Sequence, residues 1–383
     1  MPGVGDTIFT EMSSLARQLD AINLGQGYPD YQPDSLLLDH VCTAIRQGPN
    51  QYAPMAGVPA LRDAIRDKVL AHQGVGYDAD SEITVTSGAT EALSASLLAL
   101  VHPGDEVVLL DPSYDLYAPV VQLAGGRPVR VAMIPPADPE SNYTLDWDAI
   151  AQATGPKTRI LMMNFPHNPS GLVLKDADLD ALTRIADRHD FLILSDEAYE
   201  HIYFDGLPYR SPVNRPELAA RCVLISSFAK TLHATGWKVG YCCAPAAITR
   251  EIRKVHQFAV FSVNTAVQAG IAAYLAASDA IRQLPAFYQQ KRDRLIRGLN
   301  ATRLRPLPTE GTFFLLADTR ELGGGPEKEL AIRLTREAGV ATIPVSAFYP
   351  DPASAEANHR LLRFCFAKQD ATLDAAIERL QGL

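Results

Sequence analysis

Two lysines stand in Ser226-Ser227-Phe228-Ala229-Lys230-Thr231-Leu232-His233-Ala234-Thr235-Gly236-Trp237-Lys238-Val239-Gly240, directly after an apolar run. An ammonium at the end of a buried strand is partly desolvated, which disfavours its charged form and lowers its pKa. That is the setting of an amine that forms Schiff bases with carbonyl compounds. A lone lysine so placed is ordinarily a solvated side chain, so the assignment depends on what else converges there. In Leu194-Ser195-Asp196-Glu197-Ala198-Tyr199-Glu200 another apolar run ends in acids. A carboxylate at that point can hold a pyridinium nitrogen protonated, and Tyr199, three residues on, can reach a phenolate oxygen of the same ring.

Two more segments have the same position at the end of an apolar run. In Asn164-Phe165-Pro166-His167-Asn168-Pro169-Ser170-Gly171 the prolines fix φ and the glycine permits a tight turn, so Asn168 is held in place. In Thr86-Ser87-Gly88-Ala89-Thr90-Glu91-Ala92 small residues open a helix, whose free N–H groups and dipole make an anion site. In open α/β sheets ligands sit beyond the carboxyl ends of the strands. Four such segments on one sheet fit a single ligand that carries a phosphate, a pyridine nitrogen, a phenolic oxygen and an aldehyde. That ligand is pyridoxal 5'-phosphate.

The elements that must position these residues are legible as alternating patterns. Ile83 to Thr86, Glu106 to Leu110, Pro128 to Ala132, Arg159 to Met163, Phe191 to Leu194, Cys222 to Ser226 and Val239 to Cys243 read as strands, several apolar throughout. Helical patterns lie between them at Thr90 to Val101, Leu116 to Leu123, Ala177 to Asp190 and Ala247 to Phe258. Such alternation predicts an α/β fold, a mostly parallel sheet with helices on both faces. After Phe261 the rhythm changes: helical stretches at Thr265 to Ala277 and Leu284 to Thr302 precede strand-like Thr312 to Leu316 and Arg360 to Phe366. This reads as a smaller α+β domain, with a boundary near Leu284.

Composition narrows the class of function. The 383 residues are 47% hydrophobic and 21% charged, enough for a large core. With 35 basic and 44 acidic residues the formal charge is −9, which opposes nucleic acid and anionic membrane surfaces. Five scattered cysteines without a CxxC pair indicate neither a disulfide framework nor a zinc site and fit a reducing compartment. No signal peptide and no apolar run near the roughly 18 residues of a membrane span is present, so a cytoplasmic address is expected.

Over essentially its whole length the sequence resembles the fold-type I, class I/II aminotransferases, in particular their methionine and kynurenine branch. The resemblance is carried, in family order, by Asn23-Leu24-Gly25-Gln26-Gly27-Tyr28-Pro29-Asp30-Tyr31, Asn50-Gln51-Tyr52-Ala53-Pro54-Met55-Ala56-Gly57, Thr86 to Ala92, Pro166 to Gly171, Ser195 to Tyr199, Ser226 to Tyr241 and Arg363-Phe364-Cys365-Phe366. It implies a large cofactor domain over 36–284 and a small domain built from 1–35 and 285–383. Lys230 is then the Schiff-base lysine, Asp196 pairs with the pyridine nitrogen, and Tyr199 with Asn168 binds the ring hydroxyl oxygen. Gly88, Ala89, Thr90, Ser227 and Lys238 hold the phosphate, and Tyr114 stacks on the ring. Arg363 grips the substrate carboxylate beside the Gly27 backbone, a two-point contact that suits its planar guanidinium. Phe9, Tyr28 and Phe261 line the side-chain pocket, some from a second subunit, and Tyr52 reaches the phosphate of the neighbouring subunit in a homodimer. No metal is implied.

The sequence departs from the wider family pattern at three points: Lys238 stands where many relatives carry Arg, Ser170 where Thr is commoner, and Phe165 where Thr is usual. The implied reaction is ping-pong transfer of an α-amino group between an amino acid and a 2-oxo acid. Without an evident second arginine for an acidic side chain, methionine and aromatic donors are expected over aspartate. A cysteine-S-conjugate β-lyase and a kynurenine–oxoglutarate transaminase are the neighbouring alternatives. A ligand-sensing regulator domain is the remote one, since it expects an attached basic DNA-binding region.

Overall fold

The computed structural model describes Gly5 and residues 7–382. Seven strands form the main sheet: β1 (Ile83–Thr86), β2 (Glu106–Asp111), β3 (Arg127–Ala132), β4 (Thr158–Asn164), β5 (Leu192–Asp196), β6 (Cys222–Ser227) and β7 (Gly240–Cys243). Their order is β1-β7-β6-β5-β4-β2-β3. All neighbours pair in parallel except β7, which is antiparallel to both β1 and β6. Each strand agrees with its apolar run to within about two residues, because a strand covered on both faces has no polar side to interrupt the pattern.

Alternation along the strands divides the core into two layers. Val108, Leu110, Leu161, Met163, Ile193 and Leu224 enter one hydrophobic cluster. Their neighbours Val107, Leu109, Ile160, Met162, Leu194, Val223 and Ile225 enter another, on the opposite face. The helix Gly88–Leu100 lies in this second layer and packs against Ala246–Ala259. The helices Ser35–Gln47 and Pro59–Gln73, which the apolar periodicity did not announce, cover the first layer with Leu37, Val41, Leu61, Ile65 and Val69.

A smaller antiparallel sheet contains β8 (Arg305–Pro306), β9 (Phe314–Asp318), β10 (Ile343–Pro344) and β11 (Leu361–Cys365), in the order β10-β11-β9-β8. Its register sets Arg363 opposite Leu316 on one side and Ile343 on the other. Ile22–Asn23 pairs in parallel with Val340–Ala341, which ties the N-terminal segment to this half. Met12 and Leu24 accordingly share a hydrophobic cluster with Leu284, Tyr288, Leu295 and Leu299 of the helix Leu284–Leu299. Among the described residues no helix is long and apolar enough to cross a membrane, and all five cysteines are free.

Candidate active site

The carboxyl ends of β1, β4, β5 and β6 open into a cavity of 1720 Å³ that also meets the smaller sheet. Lys230 enters it from the short helix Phe228–Thr231, which follows β6 directly. Its Nζ donates to the Gly27 carbonyl oxygen at 2.9 Å and lies over the rings of Tyr199 and Phe313. Burial pushes this amine down to about 8, and the positive charges of Arg363 and Lys238 act in the same direction. The Gly27 strip is itself fixed. Lys368 Nζ donates to the Tyr28 carbonyl at 2.8 Å, and a Cβ on Gly27 would meet the Phe314 ring at 2.6 Å.

Asp196 is the last residue of β5 and is buried. Burial raises its affinity for a proton, while the Tyr117 hydroxyl, donating to Oδ2 at 2.7 Å, and the Ala198 N–H, donating to Oδ1 at 3.2 Å, favour the ionised form. Asn164 closes the adjacent β4: its Nδ2 donates to the Asp196 carbonyl, and its Oδ1 accepts the N–H of Asn168, each at 2.9 Å. The turn that carries Asn168 is braced by His167, whose ring nitrogens lie 2.7 Å from Ser170 Oγ and 3.0 Å from the Pro112 carbonyl. A serine thus retains the hydroxyl contact here. Gly171 has φ +72 and would bring a Cβ within 2.8 Å of the Gly311 carbonyl, so the turn requires glycine.

The other acids of the β5 segment face away from the cavity. Glu197 accepts from Ser195, Ser211, Tyr209 and Gln73. Although burial opposes ionisation, Lys68 at 2.6 Å keeps the Glu200 carboxyl well below the usual range, with Tyr241 and Ser226 also donating to it. His72 and His201 lie close to Glu200, with ligand atoms within 4.8 Å, and the Glu200 carboxylate is already paired with the Lys68 ammonium at 2.6 Å.

At the end of β1 the helix Gly88–Leu100 begins without a side-chain cap: Ser87 makes none, and its own N–H is taken by Glu91. The first-turn N–H groups therefore meet the cavity without a capping side chain. Lys238, at φ 53 in the left-handed region, brings Nζ to 3.4 Å from Thr90 Oγ1. A Cβ on Gly240 would lie 2.8 Å from the Ala89 nitrogen, so its absence lets the helix start sit directly on β7. Ser227 and Tyr114 line the same chamber, and burial pushes the Tyr114 phenol up to about 12.

Arg363 on β11 is the largest fully buried side chain of the described residues. NH1 donates to Asn168 Oδ1 at 2.6 Å and NH2 to the Gly25 carbonyl at 2.9 Å, while Nε has no partner. The guanidinium stacks 3.8 Å from the Phe314 centroid, with Phe9 and Phe348 at 5.2 and 5.1 Å. Burial pushes it down to about 10, and among the described residues no carboxylate pairs with it. A buried cation in this condition is complementary to an incoming carboxylate.

Phe9 and Tyr28 line this same cavity, whereas Tyr52 and Phe261 do not. Those two stack edge to face at 5.4 Å on the outer surface, 84% and 46% exposed. Sequence reasoning overlooked Tyr117, Asp115, Phe314, Phe348 and the Gly25 carbonyl. A backbone carbonyl leaves no signal in a sequence, Phe314 and Phe348 sit in apolar runs that mark them as packing residues, and Tyr117 and Asp115 meet the site only once the segment after β2 is folded over it.

Residues 20–380 match the family described as aminotransferase class I and II. The chain belongs to this family. A methionine aminotransferase of Escherichia coli (strain K12) is 49% identical, with 100% of this chain and 97% of that protein covered. A solved structure of an Escherichia coli protein with methionine aminotransferase function superposes with a TM-score of 0.95, covering 100% of this chain and 98% of that one at 49% identity. Kynurenine–oxoglutarate transaminase 1 of Rattus norvegicus is 32% identical over 100% of this chain and 96% of its own. This aminotransferase therefore has the α/β architecture of the fold-type I enzymes and moves an α-amino group between an amino acid and a 2-oxo acid.

Proposed function

We propose that the aminotransferase uses pyridoxal 5'-phosphate held by the residues above, and that its donors are methionine and aromatic amino acids. The observation that carries the cofactor reading is the convergence of four polar features on one chamber. They are the Lys230 amine, the Asp196 carboxylate, the uncapped helix start beside Lys238, and Arg363 with its free Nε. Gly88, Ala89, Thr90, Ser227 and Lys238 would take the phosphate, Asp196 the ring nitrogen, Tyr199 and Asn168 the ring oxygen, and Tyr114 the ring face. When bound, the cofactor supplies the carbonyl that receives the amino group and a conjugated ring that accepts the electrons of the Cα–H bond.

The chain's own residues then have separate tasks. Arg363 fixes the substrate carboxylate, which orients the Cα–H bond. Lys230, with its affinity for a proton lowered by burial, has a far larger neutral fraction near neutral pH than a solvated lysine and carries the Cα proton. Asp196 keeps a proton on the ring nitrogen, and Tyr117 keeps Asp196 in position. Phe9, Tyr28 and Phe348 give the side-chain pocket an aromatic wall, which favours thioether and aromatic side chains. The methionine aminotransferase and kynurenine transaminase relatives support the same donors.

We further assign a large domain to 36–284, a small one to 1–35 with 285–383, a cytoplasmic location, and a homodimer whose shared sites take Tyr52 and Phe261 from the neighbouring subunit. The exposed Tyr52–Phe261 pair supports this, because a monomer leaves both rings in water. A panel of amino acids assayed against several 2-oxo acids tests the donor assignment: methionine and phenylalanine should exceed aspartate in kcat/KM, and the reverse order would contradict it.

A further inference from the structure

Glu91 stands in the first turn of the helix Gly88–Leu100, and its Oε2 accepts the Ser87 N–H at 3.0 Å. A negative side chain there satisfies the positive end of the helix and competes with an incoming anion. His256, on the helix Ala246–Ala259, meets the other carboxylate oxygen: its Nδ1 lies 3.0 Å from Glu91 Oε1, and its Nε2 lies 2.9 Å from the Met55 carbonyl oxygen. A carboxylate and a carbonyl can only accept, so both ring nitrogens donate and the ring is an imidazolium. The His256 side chain is fully buried and that of Glu91 is 10% exposed. Burial opposes the charge on the ring, yet the Glu91 carboxylate outweighs it and raises the proton affinity of His256 above the ordinary imidazole range. Arg253, three residues earlier, also opposes that charge, and donates to Thr84 Oγ1 at 3.0 Å and to the Ile83 carbonyl at 2.7 Å. Met55 belongs to the Tyr52 segment, whose backbone also accepts from Thr265 at Gln51 and from Ser262 at Ala53, at 2.6 and 3.1 Å. One buried ring thus joins that segment to the helix start.

We propose that His256 is a positioning residue for the cofactor phosphate: it cancels the Glu91 charge at the helix start and fixes that start against the Tyr52 segment. This rests on the assignment of the phosphate to Gly88, Ala89 and Thr90. With the pair intact, Glu91 holds the Ser87 N–H while its charge is neutralised, and the helix dipole and Lys238 act on the phosphate unopposed. Without the ring, a largely buried carboxylate would stand one turn from the phosphate with no cation beside it, and like charges in a partly desolvated place repel strongly.

The test titrates the full-length apoprotein with pyridoxal 5'-phosphate and with pyridoxal, which lacks the phosphate, and follows binding by absorbance. His256→Gln should lower the preference for the phosphorylated compound about tenfold. Adding Glu91→Gln in the same chain should restore that preference to within about threefold, because the bare charge is then gone. A merely structural role would not do this, since a second substitution does not repair a damaged fold. An unchanged preference in His256→Gln would overturn the proposal, and so would a loss that Glu91→Gln does not reverse. Nitrogen NMR of the wild-type protein labelled at its nine histidines covers a variant that fails to fold. At about pH 7.5, above the ordinary imidazole range, one ring should still hold protons on both nitrogens, and the absence of any such ring would overturn the proposal. A wild-type protein that bound the two compounds equally well would instead contradict the assignment of the phosphate itself.

Discussion

The Tyr117 hydroxyl donates to Asp196 Oδ2 at 2.7 Å, and both groups are buried. Among the described residues this is the one side chain that donates to the carboxylate assigned to the ring nitrogen. Asp196→Asn removes the charge that keeps that nitrogen protonated, and should slow the single-turnover half-reaction with methionine by about 1000-fold. Tyr117→Phe removes only the orienting hydrogen bond and should cost about tenfold. Rapid-mixing absorbance measurements on both variants decide between this ranking and a purely structural role, which would leave the half-reaction rates alone.

Arg363→Lys keeps a positive charge but loses the planar fork, the stacking on Phe314 and one of its two hydrogen bonds. We expect kcat/KM to fall about 30- to 100-fold for methionine, phenylalanine and glutamine together, with their order preserved. Steady-state kinetics on the three donors would expose a different role if the loss were confined to one of them.

The lowered proton affinity of Lys230 also has a consequence for the stability of the cofactor-free protein. Its folded pKa, about 8, lies below its unfolded value near 10.5. The unfolded chain therefore binds more protons than the folded one between those limits, and stability rises as pH increases through that window. Lys230→Met should be more stable than wild type at pH 7, and the difference should shrink as pH approaches 10.5. Urea denaturation of both apoproteins at the two pH values measures it. A constant difference would show that the lysine is not desolvated.

Much of this was legible because buried strands and strand-end motifs are local. The runs at Ile83 to Thr86 and Cys222 to Ser226 lack any polar face, and the residues that follow them carry the chemistry. Two helices were not legible for a physical reason. In Ser35–Gln47 the apolar residues Leu36 and Ile45 are exposed, and in Pro59–Gln73 the buried face includes Arg62, which is paired with Asp80. Their patterns therefore do not keep to one side. Tyr117 and Asp115 were hidden by a different cause: their meaning arises only when the loop after β2 is brought over β5 and β11, which strand order decides and local spacing does not.

A shared site predicts complementation. Tyr52→Ala and Lys230→Ala should each be nearly inactive, and mixing them under conditions that exchange subunits should restore about a quarter of wild-type activity, since half the dimers become mixed and each has one intact site. No recovery despite demonstrated exchange would exclude a contribution from the neighbouring Tyr52.

The central claim is that Lys230 carries the cofactor, and borohydride reduction followed by peptide mapping tests it directly. The account predicts a single modified residue, Lys230, in a protein that is yellow before reduction, and no modification in Lys230→Ala. Reduced cofactor on Lys238, or full transamination by Lys230→Ala, would contradict it.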